Sequence, residues 1–271
     1  MEINIEKKIN VFYRISDKGN PVGALPYATK FRCLENAIKE FGADALFVIA
    51  DNCNETTIKF LEDHNLSFEE TSLGNFESFK YMIRERILKE DDDLFVYLLE
   101  DDYLHRPGSK NVLLEGLEIA DYATLYDHPD KYWMEKDGGN PFNLRKFQPC
   151  RVYITQSTHW KTTNSTPMTF ACKVKTLRED YKVFFKYSSR KGKIPKSFYV
   201  FSELTRQRKL NPMFFFWADG HKNLPYIVLW NFFRRKKRVL INSIPGYASH
   251  CHEGLQSPFI NWESVANSHF E

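Results

Sequence analysis

Residues 93 to 108 read DLFVYLLEDDYLHRPG, a mostly apolar run that ends abruptly in three acids, Glu100, Asp101 and Asp102. The apolar run predicts a buried β-strand, and the Pro-Gly pair behind it marks a loop. Three carboxylates at one strand tip repel one another unless a positive charge lies between them. A divalent cation, Mn2+ or Mg2+, supplies that charge and prefers hard oxygen ligands. The alternative is that the acids are solvated turn residues.

The chain before this strand alternates between short apolar runs and segments of helical period. Strands are predicted at INVFYRI (9–15), ALFVIAD (45–51) and LSFEETS (66–72), and amphipathic helices at 30–41, 55–64 and 75–88. This alternation predicts an α/β fold, with a doubly wound, mainly parallel sheet flanked by helices. Ligands bind at the carboxyl ends of the strands in such sheets. Arg14, Asp51 and the three acids lie at such ends.

The composition indicates a globular protein with a large core, since 42% of the 271 residues are hydrophobic and 23 are Phe. The net charge of +3 is too balanced to indicate a nucleic-acid partner. Five scattered cysteines without a CxxC pair favour a reducing compartment over a disulfide framework. The N-terminus lacks the apolar stretch of a signal peptide, and no apolar run approaches the roughly 20 residues of a membrane span. A cytoplasmic location is therefore expected.

Strand-helix alternation that runs into LLEDD (98–102) resembles the nucleotide-sugar domain of GT-A-type glycosyltransferases, whose DXD-like motif holds the metal and the nucleotide diphosphate. Further segments resemble bacterial and viral proteins classed with family 2 glycosyltransferases: YRISD (13–17), ADN (50–52), TLYDHPDKY (124–132), HWKTTNSTPMTFA (159–171) and IPGYASHCHEGLQSPFINWE (244–263). The motif is Glu-Asp-Asp rather than Asp-x-Asp, which leaves open which two acids function. The resemblance implies one GT-A-like domain with two halves. Residues 1–121 would bind the nucleotide-sugar donor, and residues 122–271 would bind the acceptor and supply the last ligand of the metal.

The resemblance also implies roles for single residues. It implies nucleotide-sugar binding by Arg14, Lys30, Asp51, Glu100 and Asp101, and metal binding by Asp102. Lys30 would reach the phosphates, Asp51 the base, and Glu100 with Asp101 the ribose. From the residues alone, a surface ion pair for Arg14 and a turn for Asp51 are equally consistent with the sequence.

A second group of metal-capable side chains occupies residues 249–253, Ser-His-Cys-His-Glu. Alternation along an extended segment places His250 and His252 on one side and Cys251 on the other. In many GT-A enzymes a C-terminal histidine completes the metal shell, and Ser249-His250 resembles that pattern best, which implies that His250 is a ligand. A closed zinc site needs about four protein ligands, and the sequence offers no second Cys/His pair for one. An exposed histidine pair without a ligand role is the other alternative.

The second half supplies candidates for acceptor contacts and for the catalytic base. The candidate sugar contacts are His128, Trp160 and Thr166. Aromatic faces pack on the apolar side of a pyranose, and polar groups contact its hydroxyl rim. The alternative for Trp160 is a place in the core, where an isolated aromatic residue more often lies. The base that deprotonates the attacking hydroxyl is expected to be a carboxylate. The candidates are Asp219 in WADGH and Glu203 in FSELTR, with ordinary surface acids as the alternative. Residues 151–174 predict a β-hairpin.

A basic run, RRKKR (234–238), follows the aromatic segment YIVLWNFF (226–233). Eight residues cannot span a bilayer, but rings beside basic side chains predict peripheral contact with an anionic membrane. The alternative is a core helix that ends in a solvated basic turn. No recognisable nucleic-acid-binding module accompanies the run, so no nucleic-acid partner is expected.

These features together predict a metal-dependent glycosyltransferase that moves a sugar from a nucleotide-sugar donor to a hydroxyl of a glycan or glycolipid acceptor. One alternative is a non-catalytic protein that binds a nucleotide or glycan and releases no nucleoside diphosphate. Another is a sugar nucleotidyltransferase, which is expected to carry a glycine-rich phosphate loop after the first strand. YRISDKGNPVGALP (13–26) contains no such cradle.

Overall fold

A computed structural model describes residues 8–18, 24–132, 150–187, 196–206 and 236–268 of the chain. The strands are β1 (Ile9–Ile15), β2 (Leu46–Asp51), β3 (Ser67–Thr71), β4 (Phe95–Glu100), β5 (Tyr103–His105), β6 (Tyr122–Thr124), β7 (Val152–Ile154), β8 (His159–Thr162), β9 (Phe170–Lys173), β10 (Leu240–Ile244) and β11 (Ala248–His250). The helices are α1 (Lys30–Phe41), α2 (Glu55–Asp63), α3 (Asn75–Tyr81), α4 (Ser109–Ile119), α5 (Val174–Tyr187), α6 (Lys196–Leu204) and α7 (Trp262–Ser268).

Nine of these strands form one mixed, mainly parallel sheet in the order β3-β2-β1-β4-β9-β6-β10-β8-β7. Strands β1 to β4 are parallel, β9 runs antiparallel to both of its neighbours, and β10 is parallel to β6. A small second sheet pairs β11 with β5. The α/β class is therefore confirmed. The predicted boundary between residues 121 and 122 falls immediately before a strand inside the nine-stranded sheet.

Helices cover both faces of the sheet, because strand residues alternate between two cores. In β1, Val11 and Tyr13 pack with α1, α2 and α4, whereas Phe12 packs with α3, α5 and α6. Strands buried on both faces are expected to be nearly continuously apolar, as β1, β2 and β4 are. This arrangement leaves the carboxyl ends of the parallel strands as the edge at which polar side chains collect.

Local sequence signals account for the helix starts. The Thr29 side chain accepts a hydrogen bond from the Arg32 amide, and Asn54 accepts one from the Thr57 amide, so both act as N-caps. The predicted bounds of the first helix are confirmed, and the second ends within one residue of its prediction. The third helix ends at Tyr81 and continues as a π-helical turn over 82–86 and a 3-10 turn over 87–89.

The predicted hairpin over 151–174 is only partly correct. Strands β7 and β8 form a hairpin within 152–162, but β9 does not join it. Instead β9 lies between β4 and β6, with Phe170, Ala171 and Cys172 fully buried. The reason is that β9 fills a gap inside the sheet and buries both of its faces there, which an edge hairpin cannot do.

Trp160 belongs to the core, which corrects the expectation that it contacts a sugar. Its side chain is fully buried, and its indole N–H donates to Thr155 Oγ1 at 3.0 Å. The ring lies so close to Gly116 of α4 that a Cβ atom at that position would come within 2.6 Å of it. A glycine is therefore required where the helix crosses the indole.

Gly116→Ala is expected to destabilise the protein by about 1–3 kcal/mol, because the added methyl overpacks the contact with Trp160. Urea denaturation followed by circular dichroism measures this. The double variant Gly116→Ala/Trp160→Phe is the control, since a smaller ring restores space and should recover part of the loss. Equal stability of Gly116→Ala and the wild type would show that the helix shifts freely at this point.

The last residue of the basic run is internal, which corrects the interpretation of RRKKR as a wholly solvated turn. Arg238 is 3% exposed and pairs with Asp180 (2.7 Å), Glu179 (2.5 Å) and Asp121 (3.2 Å). Lys236 is exposed and lies near the same Asp121. Residues 226–235 lie outside the described residues, so membrane contact stays a prediction. Among the helices described, none is both long and apolar enough to cross a bilayer.

Candidate metal and nucleotide site

The candidate site lies at the carboxyl edge of β1, β2 and β4, where the second sheet brings a distant segment beside the acids. Strand β11 pairs antiparallel with β5, which begins directly after Asp102. The Cys251 amide then donates to the Asp102 carbonyl at 2.7 Å. Because backbone alternation places the two neighbours of Cys251 on the opposite side from its thiol, His250 and His252 both face the Asp102 carboxylate.

Each of the three acids has a different partner. Glu100 pairs with Arg14, the residue opposite it in the β1–β4 register. Arg14 is buried, donates to Asn75 Oδ1 at 2.9 Å, and places its guanidinium 5.4 Å from the Phe79 ring centroid. The Arg14–Glu100 pair therefore fastens β1 and β4 to α3 at the edge of the site.

Asp101 is held by the backbone and carries a perturbed acidity. Its Oδ2 accepts a hydrogen bond from the Ser16 amide at 2.9 Å. Burial raises the pKa of Asp101 to about 7, and the negative charges of Asp102 and Glu100 act in the same direction. Burial, more than the repulsion between acids expected from the sequence, thus raises the pKa of Asp101.

Asp102 forms the centre of a cluster that can hold a metal ion. Its Oδ2 lies 2.8 Å from His250 Nε2 and 3.5 Å from His252 Nε2. Ligand atoms from the three residues lie within 4.8 Å of one another. Burial alone would raise the pKa of Asp102, but the two histidines hold it well below its ordinary value. Tyr103 stacks on His250 with ring centroids 5.2 Å apart, which fixes the imidazole.

One oxygen of this cluster lacks a partner. Asp102 Oδ1 is buried and has no hydrogen-bond partner among the described residues. An unsatisfied buried carboxylate oxygen is costly, and the donor set of one carboxylate and two imidazoles fits a divalent cation. His252 joins a site for which the resemblance named only His250. Its signal in the sequence was the alternation that predicted both rings on one side.

Lys30 belongs to a partly exposed cluster between the end of β1 and the start of α2. Its ammonium pairs with Asp17 and donates to Thr57 Oγ1 at 2.8 Å. Asp17 also accepts from the Asn54 amide at 2.8 Å. Asp17 was missed from the sequence because nothing local distinguishes it from a loop acid. Its position between β1 and the start of α2 gives it the role of orienting Lys30.

Asp51 is saturated by protein donors. Its side chain is 4% exposed and accepts from the amides of Leu73 (2.7 Å) and Gly74 (2.9 Å) and from the Thr71 hydroxyl (2.8 Å). Asn52, which has a positive φ of 56°, adds a side-chain donor at 2.9 Å. Asp51 therefore shapes the loop between β3 and α3.

The acceptor candidates have different environments. His128 is half-buried, pairs with Asp130 at 2.8 Å, and lies 5.2 Å from the Tyr126 ring, which itself contacts the His250 ring at 6.3 Å. Thr166 is buried and donates to Thr124 Oγ1 at 3.2 Å, so the expectation of a sugar contact at Thr166 is corrected. Among the described contacts of the three candidates, those of His128 lead through Tyr126 to the cluster of Asp102, His250 and His252.

The catalytic-base candidates do not join the site in the described residues. Glu203 lies on α6, which packs on the face of the sheet with α3 and α5, where its carboxylate pairs with Lys186 at 2.7 Å and accepts from Tyr187 at 2.6 Å. This corrects the assignment of Glu203, since its charge is committed to a contact between α5 and α6. Asp219 lies outside the described residues and stays a prediction.

No protein-family model and no curated protein matches the chain. Among solved structures, GalNAc-T7 with UDP, GalNAc and Mn2+ is similar with a TM-score of 0.52 and 10% identity, over 92% of this chain and 45% of that one. The galactosyltransferase LgtC (TM-score 0.44, 11% identity, 96% and 95% covered) and 4-diphosphocytidyl-2C-methyl-D-erythritol synthase from Anaerococcus prevotii (0.43, 12%, 97% and 96%) are also similar. The chain thus spans under half of GalNAc-T7, and the likeness shows a GT-A-like fold.

Proposed function

We propose that the protein is a metal-dependent glycosyltransferase that moves a sugar from a nucleotide-sugar donor to a hydroxyl of a glycan or glycolipid acceptor. The observation that carries this proposal is the cluster of Asp102, His250 and His252 at the carboxyl edge of β4, with a buried carboxylate oxygen left unpartnered. Ligands of open α/β sheets bind at this edge. The GT-A-like fold supports the same assignment.

The residues that would hold the cation are Asp102, His250 and His252. Two imidazoles beside one carboxylate favour Mn2+ over Mg2+, because Mg2+ prefers oxygen ligands and keeps several waters. When bound, a divalent cation would neutralise the negative charge that develops on the departing nucleoside diphosphate. Three protein ligands leave coordination positions for diphosphate oxygens and water.

The remaining acids and cations are proposed to shape the donor pocket. Glu100 and Asp101 are proposed to face the ribose, with Glu100 held by its pair with Arg14 and Asp101 by the Ser16 amide. Lys30 is proposed to face the phosphates from its pair with Asp17. Asp51 is proposed to form the base subsite indirectly, since it holds the backbone of Leu73 and Gly74 in place. Asp219 stays the candidate base.

A thermal-shift panel tests the proposal. UDP-, GDP-, CMP- and TDP-sugars are each added with Mn2+ and with chelator, since a ligand that binds the folded state raises the melting temperature. At least one donor is expected to stabilise the protein with Mn2+ and much less with chelator. Release of the nucleoside diphosphate from that donor then distinguishes an enzyme from a binding protein. A panel without any Mn2+-dependent shift would contradict the proposal.

His250→Ala and His252→Ala are both expected to weaken Mn2+-dependent nucleotide binding, by about 10- to 100-fold for His250 and less for His252, which lies farther from Asp102. Binding in chelator should not change, because the histidines act through the cation. Calorimetric titration of the donor identified in the panel measures both conditions. His64→Ala, which alters a partly exposed histidine near Glu35, is the matched control. Equal losses with and without Mn2+ would exclude a ligand role.

A further inference from the structure

A pocket of about 560 Å³ opens between residues 129–132 and 254–263. Its volume lies within the roughly 300–1,000 Å³ of small-molecule sites. Tyr126 connects the pocket wall to the cluster of Asp102, His250 and His252, since its ring lies 6.3 Å from the His250 ring and its hydroxyl donates to the Leu255 carbonyl at 2.6 Å. The pocket and the cluster are therefore separate sites joined through one side chain.

Phe259 lines this pocket with an exposed side chain and an unfavourable backbone conformation. Its side chain is 88% exposed, and its backbone φ is +70°. A bulky residue other than glycine rarely adopts positive φ, and such strain concentrates at ligand-binding positions. Neither burial nor backbone preference explains a phenylalanine here, so the aromatic face itself is the feature that the site presents.

Tyr132 supplies a second aromatic ring to the lining of the pocket. It is 43% exposed, and its hydroxyl donates to Asp127 Oδ2 at 2.5 Å. Asp127 is itself fixed by the Asn242 side-chain amide at 3.0 Å. The ring is therefore anchored at its hydroxyl. The Lys161 ammonium lies 5.9 Å from its centroid, and the remaining ring surface is accessible.

The wall that carries Phe259 is built onto the metal-bearing sheet. The Ser257 hydroxyl donates to the Ala248 carbonyl at 2.7 Å, and the Ser257 amide donates to Ser249 Oγ at 3.0 Å. The Trp262 indole donates to the Ser257 carbonyl at 2.8 Å. These bonds fix the pocket wall relative to β11, the strand that ends at His250.

The charge of the lining indicates the class of ligand. Glu263 is the one charged residue among the described lining residues, and Gln256 and Asn261 supply neutral polar groups. The described lining residues include no basic side chain, and the nearest one among the described contacts is Lys161, 5.9 Å from the Tyr132 ring centroid, so the lining itself offers a phosphate group no ion pair. Aromatic faces with amide and carboxylate groups suit the apolar face and the hydroxyl rim of a sugar ring.

We propose that this pocket binds a neutral saccharide ring, with Phe259 and Tyr132 as the stacking surfaces. That the bound saccharide is the acceptor rests on the proposed function; that a saccharide binds here rests on the pocket alone. The pocket gives the acceptor a position between the two rings, in place of the buried Trp160.

The test uses the full chain in chelator, so that it does not depend on the metal site. Saturation-transfer NMR measures binding of the methyl pyranosides of glucose, galactose, mannose, N-acetylglucosamine, N-acetylgalactosamine and rhamnose. At least one is expected to bind, with a loss of tenfold or more in Phe259→Ala and retention in Phe259→Tyr. Ile154→Ala, which removes another exposed apolar side chain, is the control and should bind as the wild type does. An excess of UMP should not displace the saccharide.

The proposal is overturned if none of the six sugars binds, if Phe259→Ala binds as tightly as the wild type, or if UMP competes, which would place the donor in this pocket. Phe259→Gly guards against a folding artefact, since glycine accepts the positive φ without strain and should fold normally while losing the saccharide. If no nucleotide-sugar donor binds in the thermal-shift panel but a saccharide binds in a Phe259-dependent way, the proposed transferase function is rejected and the proposed saccharide pocket is retained.

Discussion

Asp102→Asn is expected to reduce sugar transfer by about 100-fold or more while leaving the fold intact. The substitution keeps the size of the side chain but removes the anionic ligand at the centre of the cluster with His250 and His252. It also leaves the two histidines without the carboxylate that they contact. The rate of nucleoside diphosphate release from the donor found in the panel, with excess Mn2+, measures the effect.

Asp93→Asn is the matched control, because Asp93 is an exposed acid at the other end of the same strand and pairs only loosely with Lys173 at 3.4 Å. It should retain normal turnover. Circular dichroism and the melting temperature without metal establish that Asp102→Asn is folded. Near-normal turnover in a folded Asp102→Asn protein would remove the metal site from the proposed chemistry.

Arg238→Met is expected to lower the free energy of unfolding by about 3–5 kcal/mol, because it removes one partner of a buried ion pair. Asp180 is 2% exposed, pairs with Arg238 at 2.7 Å and accepts a hydrogen bond from the Tyr122 hydroxyl at 2.9 Å. Methionine fills a similar volume, so the loss reports charge rather than packing. Urea denaturation monitored by circular dichroism measures it.

Arg178→Met provides the comparison, since the pair of Arg178 with Asp92 is exposed and is worth less than about 1 kcal/mol. The double variant Arg238→Met/Asp180→Asn should be more stable than Arg238→Met, because it also removes the buried negative charge that Arg238 balances. If Arg238→Met and Arg178→Met lower the free energy of unfolding by the same amount, the ion pairs of Arg238 do not stabilise the fold as buried ion pairs.

The first half of the fold could be predicted because its signals are local. The apolar run INVFYRI gives β1 at the predicted bounds, and Thr29 and Asn54 start their helices as hydrogen-bonding caps. Strand β9 could not be placed in the same way. The sequence of a short apolar segment does not indicate which strands it will pair with. The position of β9 is set by its pairing with both β4 and β6.

The site residues likewise divide into those that local sequence signals identify and those that depend on contacts between distant segments. Arg14 and Glu100 were each placed at a strand end, but their pairing follows from the β1–β4 register, which no single segment specifies. Asp102 and His250 meet through β5 and β11, and only the resemblance linked them beforehand. The burial of Trp160 depends on a glycine in α4, and that of Arg238 on acids from two other segments. Such contacts join distant parts of the sequence, so composition and periodicity do not reveal them.

The most direct test of the central claim is a titration of Mn2+ into the nucleotide-free protein, with free Mn2+ quantified by electron paramagnetic resonance. One Mn2+ is expected to bind per chain, with binding lost in Asp102→Asn, weakened in His250→Ala and in His252→Ala, and unchanged in Asp93→Asn. Binding of Mn2+ to Asp102→Asn as tightly as to the wild type, or no binding to the wild type, would contradict the claim that Asp102, His250 and His252 form a metal site.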